Sequence, residues 1–337
     1  MRCRLTSGWT ARRLSGAWRR HWWQAWAVRM DTGAGTEVVA RLASSRQYQR
    51  NGQRSPHKPL LVLLALGRLA ATGSSQLPWS VAESVLAELI AEFGPPSRTG
   101  RAQSAAYPFT RLRADGVWVL DRDVDSDLVG PLARSHVTGQ LEPSVESALR
   151  ARPALIRAAA RELVMTNIPE TVAPDVLRRS GWIPRRYSAP VTLPDWPGGA
   201  VAGRKRDPGW RLGVLKAWDR QCPFCGYDGQ FAGASVGIEA AHVRWFAFSG
   251  PDSLDNGLAL CSLHHKLFDL GMLGLNTGLT VMVSARFTAR PLAGPAIYDL
   301  HGRELSPRAG TAVPAPGHIS WHTRQVFKGE PLVLRSN

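Results

Sequence analysis

Two short motifs carry the residue types best suited to chemistry in this chain. Cys222-Pro223-Phe224-Cys225 and Cys261-Ser262-Leu263-His264 are a CxxC and a CxxH pair, with 35 residues between Cys225 and Cys261. A two-residue gap lets a tight turn aim both ligands of a pair at one ion, and Gly226 fits the turn after the first pair. Four protein ligands make a closed tetrahedral zinc site, and a closed site is structural because it keeps no position for water. The competing reading of the CxxC is a redox pair, and the matching CxxH argues against it. His242 and Asn256 lie between the two pairs and His265 just past the second, in the order His, Asn fourteen residues on, His nine further. A single His on an apolar strand is usually a packed core residue. Three polar positions in this order, bracketed by metal ligands, describe a site.

The text around these residues is IEAAHV, SLDNGLALC and CSLHHKLFD. It resembles the HNH nucleases of the ββα-metal fold. The resemblance implies a β-hairpin presenting His242, a loop carrying Asn256, a helix carrying His265, and a zinc knuckle pinning hairpin to helix. It also implies phosphodiester hydrolysis. A neutral imidazole can take a proton from water near neutral pH, the role the resemblance assigns to His242. A single Mg²⁺ or Mn²⁺ can clamp the scissile phosphate and the leaving 3′ oxygen, with His265 as its best protein ligand. Asn256 cannot do acid–base work; its amide would orient His242 through the backbone or hold the hairpin loop. Many HNH sites carry a metal-binding residue directly before the first His, where this chain has Ala241. Glu239 shares the strand face of Ala241, and Asp269 lies four residues after His265 on one helix face. Asp269 is therefore the candidate to complete the metal site, against a plain hydrogen-bonding role near Gly271.

Stepping outward from this cluster, the C-terminal elements that must hold it are a short helix over 212–218, strand-like stretches at 272–275 and 279–283, and a helix over 264–270 around His265. Apolar spacing in the N-terminal half predicts a weak helix over 37–49, a core helix over 59–71 and amphipathic helices over 81–93 and 153–165. Residues 107–121 (YPFTRLRADGVWVLD) read as two strands around the Ala114-Asp115-Gly116 turn. Prolines 184, 190, 194, 197 and 208 with Gly198-Gly199 mark a linker. The resulting division is a basic arm over 1–36, a domain over 37–177, a linker over 178–208, a nuclease domain over 209–300 and a tail over 301–337. The fold class is α+β: a mainly helical N-terminal domain with a small sheet, followed by a zinc-stabilised ββα-metal domain.

The N-terminal half has its own recognisable text. Arg50, RSPHKPLLVLLALGRLA, AEFGPP and YPFTRLRADGVWVL resemble the sulfur-binding domain of phosphorothioate-dependent restriction endonucleases, McrA-like type IV enzymes of bacteria. The Ala before the first His is also that family's residue. The resemblance implies a shallow apolar cup for the phosphorothioate sulfur, built on Tyr107 and Pro108. It implies backbone and base-edge contacts from Arg50, His57 and Lys58, and a further arginine placed at Arg134. Sulfur is larger and less hydrated than oxygen, so an apolar cup favours it, while cations and N–H donors grip the backbone charge. Read without the resemblance, His57 is a helix cap and Tyr107-Pro108 an ordinary strand entry.

Composition agrees with a polyanion partner. Lys and Arg number 42 against 26 Asp and Glu, a net charge of +16 over 337 residues. Residues 1–30 hold seven arginines and no acid, so if Met30 is the true start the surplus is 16 − 7 = +9, still basic. Four cysteines exclude a disulfide scaffold and place the protein in the reducing cytoplasm. No apolar run reaches the length of a membrane span. The reading is a DNA endonuclease that recognises phosphorothioated double-stranded DNA and cuts nearby, with structural zinc and catalytic Mg²⁺ or Mn²⁺. Because each HNH site cuts one strand, it would act as a homodimer or by sequential nicks. The alternative is an HNH restriction endonuclease acting on unmodified or methylated DNA without sulfur recognition. A DNA reader with a silent nuclease and a zinc-stabilised RNA binder are weaker readings.

Overall fold

The computed structural model describes residues 34–44, 55–97, 103–124, 127–182 and 207–333. The basic arm, Arg50 and most of the expected linker lie outside the described residues. Two hydrophobic cores form, one from Leu42 to Leu177 and one from Trp210 to Ile319.

The first core is built on helix α2 (His57–Thr72), which follows α1 (Ala34–Ala43). Its apolar run is buried on nearly every side: Leu60 to Leu66 are all at most 7% exposed. Each such leucine or valine contributes about 1.5–3 kcal/mol by leaving water. Gly73, with φ +74°, ends the helix through its N–H to Leu69 O. Gly67 is required by packing: a Cβ there would sit 2.4 Å from Ser180 O. That close approach lets Trp182 donate its indole N–H to Leu63 O at 3.0 Å. Residues 178–182, expected in the linker, are therefore part of the first unit.

Strand β1 (Leu77–Pro78) leads into α3 (Trp79–Phe93), which stops at Gly94. The stretch expected as a hairpin is different. Residues Ala106–Arg111 form helix α4, a 3-10 turn covers Leu112–Asp115, and only Trp118–Leu120 is a strand, β2. Phe109 and Leu112 carry apolar side chains into the core while Tyr107 and Arg111 are exposed, a helical three- to four-residue spacing. Gly116, with φ +70°, then releases the chain into β2. After α5 (Val129–Arg134), strand β3 (Thr138–Leu141) pairs antiparallel with both β1 and β2, in the order β1-β3-β2. Phe109 meets Trp79 and Trp118 edge-on, at centroid distances of 5.1 and 5.7 Å. Helices α6 (Pro143–Ala151), α7 (Pro153–Asn167) and α8 (Ala173–Arg179) close the unit, with α7 against α1 and α2.

The second unit opens with α9 (Pro208–Ala217) and a small hairpin of β4 (Gln230–Phe231) and β5 (Ala234–Ser235). Its centre is the antiparallel hairpin of β6 (Ile238–His242) and β7 (Gly257–Cys261), with His242 opposite Gly257 and Ile238 opposite Cys261. Helix α10 (Ser262–Asp269) follows directly and packs on both strands. Strands β8 (Leu273–Leu275) and β9 (Val281–Val283) pair antiparallel. Helix α11 (Pro295–Tyr298) follows, and the stretch expected as a tail is structured: it forms α12 (Pro316–Gln325), and Leu305 and Ile319 lie in the second core. Its Pro and Gly residues open helices and turns here.

The two units touch. Leu270 packs on the first core, and the buried Lys328 donates its ammonium to Gly94 O. No helix among the described residues is long and apolar enough to cross a membrane.

Candidate nuclease site and DNA-reading face

The ligand atoms of Cys222, Cys225, Cys261 and His264 all lie within 4.8 Å of one another. The Cys222 turn closes with Gly226 N–H on Cys222 O at 2.7 Å, Gly226 adopting φ +78°. Cys261 ends β7 and His264 sits in the first turn of α10, so strand and helix reach the cluster together. His264 Nδ1 is 3.5 Å from Cys222 Sγ and 3.3 Å from Cys261 Sγ. Tetrahedral zinc with ordinary bond lengths would separate such a nitrogen and sulfur by about 3.6 Å, so the donor set fits. Hydrogen bonds from Cys222 and His264 hold the Cys261 thiol down at about 3, while its bond to Cys261 and burial push the Cys222 thiol up.

His242 ends β6. Its Nε2 lies 2.8 Å from Asp252 Oδ1, and its ring stacks on Trp210 at 3.6 Å. Asn256 is fully buried and makes three bonds. Its Oδ1 accepts from Arg244 N–H at 2.8 Å, and its Nδ2 donates to Arg244 O at 3.0 Å and Pro251 O at 2.9 Å. Asn256 therefore staples the loop between β6 and β7, two residues from His242. His265 lies between two carboxylates, Nδ1 at 2.7 Å from Glu239 and Nε2 at 3.3 Å from Asp269. Burial lowers its pKa, but the two carboxylates outweigh that and raise it to about 9. Glu239 is in turn held below the usual carboxylate range by its bond to His265. Such a pocket holds positive charge, a proton or a metal ion. Ala241 is fully buried in the core, whereas Ala240, His242, His265 and Asp269 line one cavity of about 70 Å³. Its opposite wall is residues 168–171 of the first unit.

Asp252 and Thr171 were missed by sequence reasoning. Asp252 had a weak signal, a carboxylate in the loop ten residues after His242. Thr171, which donates to Asp269, had none.

The expected sulfur-reading residues are not equivalent in the structure. Tyr107 is exposed at the start of α4 with Pro108 buried beside it. Arg111, one turn on, places its guanidinium 5.8 Å from the Tyr107 ring centroid. The i, i+4 spacing could have pointed to it. Lys58 does not face outward: its side chain is 12% exposed and its ammonium pairs with Asp115 at 2.7 Å. The imidazole of His57 is largely buried, which lowers its pKa to about 4, and its Nε2 packs against Gly94. Both are drawn inward because they open the core helix α2. Arg134 is exposed at the end of α5, and Arg50 lies outside the described residues.

Residues 35–184 match the family model of the ScoMcrA-like DNA sulfur-binding domain, and residues 222–276 match an HNH endonuclease model. Among solved structures, the sulfur-binding domain of ScoMcrA complexed with phosphorothioated DNA is 22% identical, with TM-score 0.35, covering 42% of this chain and 94% of that one. The corresponding SprMcrA complex is 19% identical, with TM-score 0.36, covering 45% and 96%. The type IV phosphorothioation-dependent restriction endonuclease ScoMcrA is 14% identical, with TM-score 0.34, covering 68% and 93%. No curated protein matches. One family match falls on each unit: the first carries a ScoMcrA-like DNA sulfur-binding domain and the second an HNH endonuclease domain, which makes the protein a DNA endonuclease.

Proposed function

We propose that the protein binds a backbone phosphorothioate in double-stranded DNA through its N-terminal unit and hydrolyses a nearby phosphodiester with the C-terminal site, restricting modified DNA in the cytoplasm. The observation that carries the reading is the convergence of His242, His265 and Asp269 on one cavity, on a hairpin and helix tied by a four-ligand cluster.

His242 takes the proton of an attacking water. The water oxygen bonds to phosphorus, the bond to the 3′ oxygen breaks, and that oxygen is protonated by solvent. The products are a 5′-phosphate and a 3′-hydroxyl. His265 and Asp269 would hold the Mg²⁺ or Mn²⁺, which supplies charge stabilisation for the phosphate and the leaving oxygen. Asn256 keeps the loop, and with it His242, in place. The Cys222, Cys225, Cys261 and His264 cluster would hold structural zinc. Tyr107 and Pro108 would form the sulfur cup, with Arg134 as an exposed cation for the backbone and Arg111 joining it by exchanging its Asp127 partner for phosphate. Two-strand cutting would need a homodimer or two successive nicks.

One duplex in two forms tests this: a single Rp phosphorothioate against the plain sequence, with Mg²⁺ or Mn²⁺. Selective binding and cutting of the sulfur form is expected, and His242→Ala should abolish cutting but spare binding. Equal treatment of both forms would remove the sulfur reader and leave an HNH nuclease of other specificity.

A further inference from the structure

We infer that Asp252 is a positioning residue for His242, an inference that rests on the reading of His242 as the base. The two side chains are each 11% exposed and meet at 2.8 Å. An ionised carboxylate only accepts, so this contact favours the neutral tautomer with its proton on Nε2, in which Nδ1 is the basic nitrogen. Asp252 is itself anchored. Its second oxygen accepts the Asp207 N–H at 2.7 Å, and the Asn256 amide holds the preceding Pro251 carbonyl. Gly250 closes the same loop so tightly that a Cβ would lie 1.7 Å from Arg244 O. Trp210 covers the imidazole face and donates its indole N–H to Ser253 O at 2.9 Å. The carboxylate also offsets the charge of the imidazolium that forms during the reaction.

The test is Asp252→Asn, an isosteric change whose amide can donate and so favours the other tautomer. kcat should fall by as much as about 10⁴-fold, the loss seen when the carboxylate orienting a base histidine becomes an amide, with KM unchanged within about twofold. Asp252→Glu should recover part of the loss. In a His242→Ala background, Asp252→Asn should cost nothing more. A variant that keeps wild-type kcat, or that loses only affinity, overturns the assignment. A wild-type protein that cuts neither form of the duplex would instead overturn the nuclease reading itself.

A separate observation, the seam between the two units, carries a second inference. The DNA-reading unit forms one wall of the nuclease cavity. The loop between α7 and α8 supplies Ile168 to Thr171 to the cavity wall. Thr171 donates its hydroxyl to Asp269, Lys266 donates to Thr171 O, and Lys266 pairs with Asp175. Lys328 reaches Gly94 O from the other side. The cavity left between them is about 70 Å³, room for roughly five waters at about 10–15 Å³ each. The geometry points to a latch: the reading unit holds the nuclease shut and must swing off before DNA enters, so that binding the mark licenses the cut. The seam suits this use because its named contacts are mostly polar and re-form with water when it opens.

Asp175→Lys places two ammonium groups together and should open the latch. Cutting of plain DNA is expected to rise at least tenfold, with cutting of the phosphorothioate form changed less than threefold. The swap Asp175→Lys with Lys266→Asp keeps the wild-type net charge and should restore discrimination, which separates latch opening from added DNA affinity. Thr171→Val, a smaller change, should move plain-DNA cutting the same way. Plain-DNA cutting that stays at the wild-type rate in both Asp175→Lys and Thr171→Val overturns the latch. A wild type that cuts both forms equally overturns it too.

Discussion

Replacing Cys222 by serine removes one of four ligands from a site in which every position is protein. Structural zinc in such peptides supplies about 10–16 kcal/mol of apparent binding free energy, so an even share is about 3–4 kcal/mol per ligand. A domain has only about 5–15 kcal/mol of net stability. Cys222 is fully buried and ties the turn after α9 to Cys261 and His264 at the junction of β7 and α10. Its loss should detach the turn from the hairpin and helix that carry His242 and His265. At about 4 °C per kcal/mol for a unit of this size, the thermal midpoint of the C-terminal unit should fall by about 12–16 °C. Zinc content should fall below one per chain. Cys225→Ser separates metal from packing, because Cys225 is exposed and its side chain buries little. If zinc carries the stability, Cys225→Ser and a chelator should both reproduce much of the loss. The assay is zinc release to a chromophoric chelator alongside thermal unfolding followed by tryptophan fluorescence. Either variant retaining one zinc with a midpoint within 2 °C of wild type refutes the reasoning.

Tyr107→Ala should weaken binding to phosphorothioate DNA about tenfold, near 1.4 kcal/mol, and plain DNA far less; equal losses in a gel shift would refute the cup. Gly139→Ala puts a Cβ 2.3 Å from the Trp118 ring, an overpacking that should cost about 1–3 kcal/mol; a urea midpoint equal to wild type would contradict it. Burial lowers the pKa of His57 to about 4, below its unfolded value near 6.5. The unfolded chain therefore takes the proton first, and stability present above pH 6.5 is lost as pH falls toward 4, by up to about 3 kcal/mol. His57→Gln should flatten that part of the pH dependence in urea melts at pH 7.5 and 5; an unchanged slope would remove His57 as its source. DNA affinity should fall steeply with salt, as expected for a chain of net charge +16, and a flat salt dependence would argue against phosphate contacts.

Much of the nuclease half was legible in the sequence because its signals are local. Ligands three positions apart belong to one turn, and His265 and Asp269 four apart belong to one helix face, so spacing alone groups them. The apolar run of α2 was legible for the same reason. The expected 107–121 hairpin went astray because a turn signal at Ala114-Asp115-Gly116 fits the end of a helix as well as a β-turn. The pairing of β2 with β3, some twenty residues on, decided between them.

The amino-acid order by itself determined the metal-ligand pairs, the His, Asn and His order, the basic surplus and the two-unit plan, because each is written in composition or in short-range spacing. Tertiary structure alone decided which of those residues are available. It buries Lys58 against Asp115, 57 positions away, and sets Asp252 on His242. It brings Thr171 to Asp269 across 98 positions and Lys328 to Gly94 across 234. No periodicity links such pairs. They meet because the packing of the two apolar cores sets these polar groups facing each other, where each must find a partner to offset the hydration it gave up.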